Sequence, residues 1–198
     1  MYVDAMNRYF AEGHAVEVTG DVEVGKVRYL PHHPVFREDK SSTKCRVVFD
    51  ASAKTHDGVS LKDCLLEGPK TQPDLVQVLS RFRWNRIGLV SDIKAIFLQI
   101  KLRPEDQDVH RFLWRDMDGN QSPSIYRKTV LTFGAKSSPF ESESTVHMHV
   151  AAQKKQFPEV AEEVQKLYVD DYVGGRDTVK DAVNLQRDMT QVMSLGGV

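Results

Sequence analysis

The sequence predicts an α+β fold, an antiparallel sheet packed on helices, and three observations carry that prediction. Strand-like runs rich in Val, Phe and Tyr are mixed along the chain with amphipathic stretches of helical period, and no internal repeat orders them. Polar turn signals, KSST at 40–43 and DGNQSP at 118–123, separate neighbouring strand-like runs, as antiparallel hairpins require. The length, 198 residues with 40% of them hydrophobic, suits one domain or a domain with a subdomain and is enough to bury a core.

Taken in order, VEVGKVRYL (22–30), HPVFRED (33–39) and KCRVVFDAS (44–52) read as strands, the last two joined by the KSST turn into a basic hairpin. PDLVQVLSRFRW (73–84) reads as a helix with Pro73 in its first turn, and Leu75, Val78, Leu79 and Phe82 recur at helical spacing to form a core-facing stripe. IGLVSDI (87–93) is short and almost wholly apolar, which predicts a fully buried strand ending at Asp92. VHRFLWRD (109–116) and SIYRKTVLTF (124–133) are two more strands flanking the second turn signal. SPFESESTVHMHVAAQKKQ (138–156) is a helix opened by Ser137 or Ser138 with Pro139 near its start. VQKLYVD (164–170) reads as a strand that delivers an aspartate pair. The last stretch, 178–197, is a helix with Thr178 and Asp181 spaced as a capping box and Gly196 as its C-cap.

No apolar run approaches the ~20 residues of a membrane span, and MYVDAMNRYF lacks the basic and apolar regions of a signal peptide, so an intracellular protein away from membranes is expected. Cys45 and Cys64 have no metal-ligand spacing and are expected to be reduced packing thiols. The net charge is only −1, but it is polarised. Residues 26–54 carry seven Lys and Arg against three acids, and residues 157–198 carry eight acids against four bases. A basic first part suits phosphate contacts and an acidic last part suits cations, with ordinary solvated faces as the alternative.

The stretch KLYVDDYVGG (166–175) sets Asp170 and Asp171 side by side. Two carboxylates confined together repel, and one protonates unless a cation neutralises them. Hard divalent cations such as Mg²⁺ prefer such oxygen ligands. A two-carboxylate turn at a hairpin tip is the plainer alternative. Asp92, at the end of its own predicted strand, is a third candidate. Set beside the pair in a sheet, it would complete a site able to hold two metals ~4 Å apart for in-line phosphoryl displacement.

Four blocks, in this order, resemble the polymerase domain of reverse transcriptases from long-terminal-repeat retroelements, and their wording is similar to the BEL/Pao lineage. They are KCRVVFDASAK (44–54), LVSDIKAIFLQI (89–100), LTFGAKSSPFES (131–142) and YVDD (168–171). The resemblance spans roughly residues 28–198 and implies a polymerase palm, with an antiparallel sheet packed on helices, plus a fingers subdomain. Residues 1–88 would be mainly fingers and 89–198 mainly palm. It implies that Asp92, Asp170 and Asp171 are catalytic and bind two Mg²⁺ ions, with Mn²⁺ as a substitute, and that the backbone carbonyl of Ile93 adds a metal oxygen. Arg46 would grip the incoming triphosphate with its planar fork. Phe97 would lie under the deoxyribose, Phe133 and Gly134 would shape the nucleotide pocket, and Tyr168 would sit near the primer end. Each keeps a plain alternative, core packing for Phe97 and a surface strand position for Arg46. The implied partners are a primed RNA or DNA template, deoxynucleoside triphosphates, and the thumb, RNase H and integrase of a polyprotein. The implied location is the cytoplasm, in virus-like particles.

Two departures stand out. Lys94, Ala95 and Ile96 alter the middle of the family's first catalytic block, and the sequence stops after the helix that follows YVDD, so a fragment or a truncated, inactive remnant that at most binds nucleic acid is the rival expectation. A hydrolase built on VFDAS is disfavoured, because Ser52 stands where a second carboxylate is needed. His147 and His149, two apart on a helix, point different ways and are read as non-ligands, and His32 and His33 as residues of a fingers turn without partners.

Overall fold

The computed structural model describes residues 1–20, 25–37 and 45–196. In chain order the elements are α1 (Tyr2–Ala11), β1 (Ala15–Glu17), β2 (His32–Phe36), β3 (Cys45–Phe49), α2 (Leu61–Cys64), α3 (Leu75–Trp84), β4 (Ile87–Asp92), α4 (Ile96–Gln99), β5 (Arg111–Trp114), β6 (Ser124–Lys128), α5 (Ser138–Ala152), α6 (Pro158–Glu163), β7 (Asp171–Arg176) and α7 (Val179–Leu195). Short 3-10 turns cover Pro104–His110 and Val164–Lys166. Every strand pair among the described residues is antiparallel and helices pack on the sheets, so the α+β class stands. None of the described helices is long and apolar enough to cross a membrane. The chain divides into two compact units, each made of two separated stretches: Met1–Glu67 with Ile100–Ser138, and Gly68–Gln99 with Pro139–Val198.

The first unit holds a three-stranded sheet in the order β1-β6-β5 and the β2-β3 hairpin. Its core is aromatic. Phe49, Phe112 and Trp114 are buried with Met6, Leu30 and Val47, and Tyr2, Tyr9 and Phe10 of α1 pack against them. Phe49 and Phe112 meet edge to face at 5.0 Å between ring centroids, the arrangement ring quadrupoles favour. Lys128 lies within this apolar packing, 1% exposed, with Nζ 3.9 Å from the centroid of Tyr9 and 5.3 Å from that of Phe49. Burial pushes its ammonium down to about 7, while the two ring faces act the other way by favouring the cation.

The second unit is built on a two-stranded sheet. β4 pairs with β7 from Ile87↔Arg176 to Asp92↔Asp171. α3 packs on β7, and α7 packs on both strands and on α6. The core is mainly aliphatic: Val78, Val150, Val160, Val164, Leu185 and Val192 are almost completely buried.

Several local expectations change. Residues 22–24 of the first predicted strand and the KSST turn lie outside the described residues. The rest of 22–30 is turn and irregular chain, with only Tyr29 bridging to Arg111, because Gly25 adopts φ +92° and breaks the extended run. Pro73 precedes α3, whose N-cap is Asp74, its carboxylate accepting from the Gln77 N–H at 3.1 Å. Of the α3 stripe only Val78 is fully buried, while Leu75 and Leu79 are about half exposed. β4 is not a buried strand: Val90 is 68% exposed, since a lone two-stranded sheet leaves that face open. The predicted strand at 164–170 is a helical turn followed by a tight loop. Its apolar positions Val164 and Leu167 are buried, which a helix turn achieves as well as a strand. Cys64 is exposed and so does not pack, and both cysteines are free thiols.

Candidate active site

The ladder of β4 and β7 decides where the aspartates go. Residues directly opposite in an antiparallel pair share a face, so Asp92 and Asp171 point to the same side, with Cβ atoms about 4.5–5.5 Å apart for such a pair. Asp170 sits one residue earlier, in the tight turn. Tyr168 and Asp171 exchange both backbone hydrogen bonds, at 2.9 and 3.1 Å, around the two-residue loop Val169-Asp170. The Asp170 carbonyl accepts the Ile93 N–H at 2.8 Å, which ties the loop to the residue after Asp92. Sequence positions that start far apart thus end on one edge of one small sheet.

That loop is strained. Val169 has φ +61°, a left-handed conformation that its branched Cβ resists and that a two-residue hairpin loop normally gives to glycine. Such a backbone persists only where its surroundings fix it. Part of that fixing comes from the other face of β7. Tyr172, next to Asp171 and pointing oppositely, donates its hydroxyl to Glu163 Oε2 at 2.6 Å. Glu163 is 5% exposed and also receives Lys166 and Arg176. Burial alone would raise the Glu163 carboxyl, but the bonds from Lys166 and Tyr172 and the charges of Lys166 and Arg176 hold it below the usual range. Burial and the Glu163 carboxylate together push the Tyr172 hydroxyl well up, so it stays protonated as a donor. Gly174 makes this possible, since a Cβ there would lie 2.3 Å from the Tyr172 hydroxyl.

None of Asp92, Asp170 and Asp171 is in a salt bridge among the described residues. Asp92 and Asp171 are exposed and Asp170 half-buried. Beside them opens a cavity of about 320 Å³ whose wall includes Asp92, Lys94, Asp170, Tyr172, Met189 and Met193. Although Lys94 shares the cavity wall, the carboxylates form no salt bridge among the described residues, and an all-oxygen donor set of this kind fits a hard divalent ion. Among the described residues, however, no three acidic, His or Cys side chains are already gathered closely enough to hold one. The backbone supplies a facing pair and a third carboxylate in the adjoining turn.

The other expected residues fall in both units. In the first, Arg46 on β3 is exposed and its guanidinium lies 5.4 Å from the Phe133 ring centroid. Gly134 follows at φ +99°, and a Cβ there would come within 3.4 Å of the Phe49 carbonyl. In the second, Phe97 is half-buried on α4 and Tyr168 half-buried at the loop. The Ile93 side chain is buried.

A family model described as reverse transcriptase (RNA-dependent DNA polymerase) matches residues 39–196. The chain belongs to the reverse transcriptase family. A Gag-Pol polyprotein of Koala retrovirus is 32% identical over 106 residues, which is 53% of this chain and 6% of that protein. A solved structure of the foamy viral protease-reverse transcriptase dRH in complex with ds DNA aligns with 98% of this chain and 29% of its own, at a TM-score of 0.68 and 17% identity. The chain therefore spans a small part of either relative, and the second likeness bears on fold.

Within this reverse transcriptase domain His147, His149 and His32 have hydrogen-bond partners in the protein. His147 Nε2 lies 3.3 Å from the Val164 carbonyl and His149 Nε2 2.8 Å from that of Val192, each tying α5 to a neighbouring segment. His32 is not in a turn and does not lack partners: it lies on β2, bonded to the Tyr2 hydroxyl and, through Nε2 at 2.9 Å, to the Leu113 carbonyl. Asp50, the aspartate of VFDAS, accepts the Ser52 N–H at 2.8 Å in a local turn. Sequence reasoning missed Glu163, Arg176 and the backbone of Val169. A glutamate in a helical run three residues from a lysine looks like a surface pair, and Val carries no signal for a left-handed conformation.

Proposed function

We propose that the chain is the fingers and palm portion of an RNA-directed DNA polymerase from a retrotransposon of the BEL/Pao lineage, adding deoxynucleotides to a primer 3′-end on an RNA or DNA template. The observation that supports this best is Asp92 directly opposite Asp171, with Asp170 in the turn tied to Ile93. Residues 1–88 supply most of the fingers and 89–198 most of the palm. Asp92, Asp170, Asp171 and the Ile93 carbonyl hold two Mg²⁺ ions, or Mn²⁺ in their place. When bound, these ions supply charge neutralisation for an in-line phosphoryl displacement. Arg46 binds the triphosphate, and its stacking on Phe133 keeps the planar fork presented. Phe97 bars the ribose 2′-hydroxyl, Gly134 lets the backbone approach the nucleotide, and Tyr168 lies by the primer terminus. The wider protein carries thumb, RNase H and integrase, and works in the cytoplasm inside virus-like particles.

The decisive experiment is single-nucleotide extension of a DNA primer on an RNA template with Mg²⁺, comparing wild type with Asp170→Asn and Asp171→Asn, in the chain and in a longer polyprotein product containing it. Each substitution is expected to lower extension by at least about a thousandfold, since a missing metal ligand removes transition-state charge stabilisation. Equal extension by wild type and Asp170→Asn rules out the two-metal site. No extension by the wild-type longer product favours the alternative, an inactive remnant that binds nucleic acid.

A further inference from the structure

At the opposite end of β4 from Asp92, the chain reads RFRWNR over residues 81–86. Trp84, the last residue of α3, is 88% exposed, although indole is among the costliest side chains to leave in water. Arg81, Arg83 and Arg86 are exposed around it, and none has a carboxylate partner among the described residues. Arg81 and Trp84 line a cavity of about 210 Å³ together with Asn85, Lys166 and Arg176. The acids near that cavity, Glu163 and Glu159, are already taken by Lys166 and Arg176. Arg81 Nε donates to the Gln77 carbonyl at 3.2 Å, and Asp177 follows Arg176 at the ladder end beside Arg86, but none of the three arginines forms a salt bridge among the described residues, and they stand beside an exposed aromatic face.

Helix electrostatics explain part of this and no more. Cations in a last helical turn complement the C-terminal partial charge, which accounts for Arg81 and Arg83. It does not account for Arg86, which lies beyond the helix, nor for the exposed indole. A dry protein interface would strip water from three guanidinium groups with no acid to meet them, an unfavourable exchange. A polyanion carrying flat rings satisfies both features: phosphates meet the arginines and a base stacks on the indole.

We propose that the Arg81–Arg86 segment is a binding site for single-stranded nucleic acid, with Trp84 as the stacking platform and Arg81, Arg83 and Arg86 as the phosphate contacts. It lies at the far end of a six-residue strand from Asp92, about 17 Å away at 3.3 Å per residue, so it is separate from the carboxylate edge. The polymerase reading supplies the identity of the polyanion, and binding here requires neither metal nor catalysis.

The test is a fluorescence titration of the full chain with a twelve-nucleotide oligothymidylate in EDTA, at 50 and 200 mM salt. Trp114, the other tryptophan, is 5% exposed and serves as a shielded background. Wild type is expected to be quenched, Trp84→Phe to lose the quenching and bind at least about fivefold more weakly, and the triple Arg81→Gln, Arg83→Gln, Arg86→Gln variant to flatten the salt dependence by about two log units per log unit of salt. All four positions are on the surface, so the variants fold. No quenching of wild type, or unchanged affinity in Trp84→Phe, overturns the proposal. Equal quenching by a twelve-residue polyglutamate overturns it in favour of an acidic protein partner. Primer extension on the same preparations separates the two hypotheses: quenching without extension removes the catalytic reading and leaves this site standing, and extension without quenching does the reverse.

Discussion

The two units use polar groups in opposite ways. The first has an aromatic core with Lys128 against its rings, and it also buries His110; the two are 1% and 5% exposed. His110 is bonded to Thr132, and burial pushes it down to about 4. The second has an aliphatic helical core, keeps its buried charge bonded around Glu163, and leaves Asp92, Asp171 and Val90 in the open. Aromatic rings can accommodate a cation through their faces and so tolerate a buried lysine. An aliphatic core cannot, and its charges gather where partners exist. The difference teaches that Asp92 and Asp171 stand open to solvent with no salt bridge among the described residues, while the buried Glu163 is held by its partners.

That contrast can be tested from its largest expected effect downward. Phe112→Ala empties the centre of the aromatic core, where Phe112 is fully buried, and should destabilise by about 3–5 kcal/mol in chemical denaturation. A loss under 1 kcal/mol would mean that the rings do not form a close-packed core. Lys128→Met is expected to stabilise at pH 7 by roughly 1–3 kcal/mol, because it removes a buried ammonium. The pH dependence carries the sign. The folded state holds the Lys128 pKa at about 7 against an ordinary lysine value of 10.5, so the unfolded chain binds the extra proton between those values. Wild-type stability should therefore rise as pH climbs from 7 to 10, and Lys128→Met should lack that rise. Identical profiles would show that the rings hold the ammonium at its ordinary pKa.

Smaller effects belong to the second unit. Tyr172→Phe deletes the 2.6 Å bond to Glu163 and should cost about 1–2 kcal/mol, read as a melting temperature lower by a few degrees. No change would show that Lys166 and Arg176 suffice for Glu163. Val169→Gly should do the reverse and stabilise by about 0.5–1 kcal/mol, since glycine takes φ +61° without a Cβ clash, although it loses more backbone freedom. A destabilised variant would place the strain elsewhere in the turn.

Much of this was legible in the sequence wherever a local rule and the tertiary outcome agree. The β2-β3 strands, α5, and α7 with its Thr178 cap and Gly196 end follow from period and capping chemistry, and Asp92 falls at the end of β4 as expected. Failures came where two states share one pattern. An apolar triplet such as Val164, Leu167 and Val169 suits a buried helical turn or a strand equally, and only the position of α6 before it decides. Exposure of β4 could not be read from IGLVSDI, because an apolar run does not state how many neighbours the sheet has. The Glu163 partners escaped for a similar reason, since Tyr172 and Arg176 approach from a different strand.

The β4-β7 ladder also has a bearing on how the protein comes into being. Asp92 and Asp171 meet only after α4, both strands of the β5-β6 pair, α5 and α6 have been made, so their encounter requires a long loop to close. Contacts between such distant positions form slowly relative to local helices. On the ribosome the carboxylate edge is therefore among the last features to assemble, and a nascent chain halted anywhere before β7 presents Asp92 without its partner. Completion of the facing pair would then report that synthesis has passed β7.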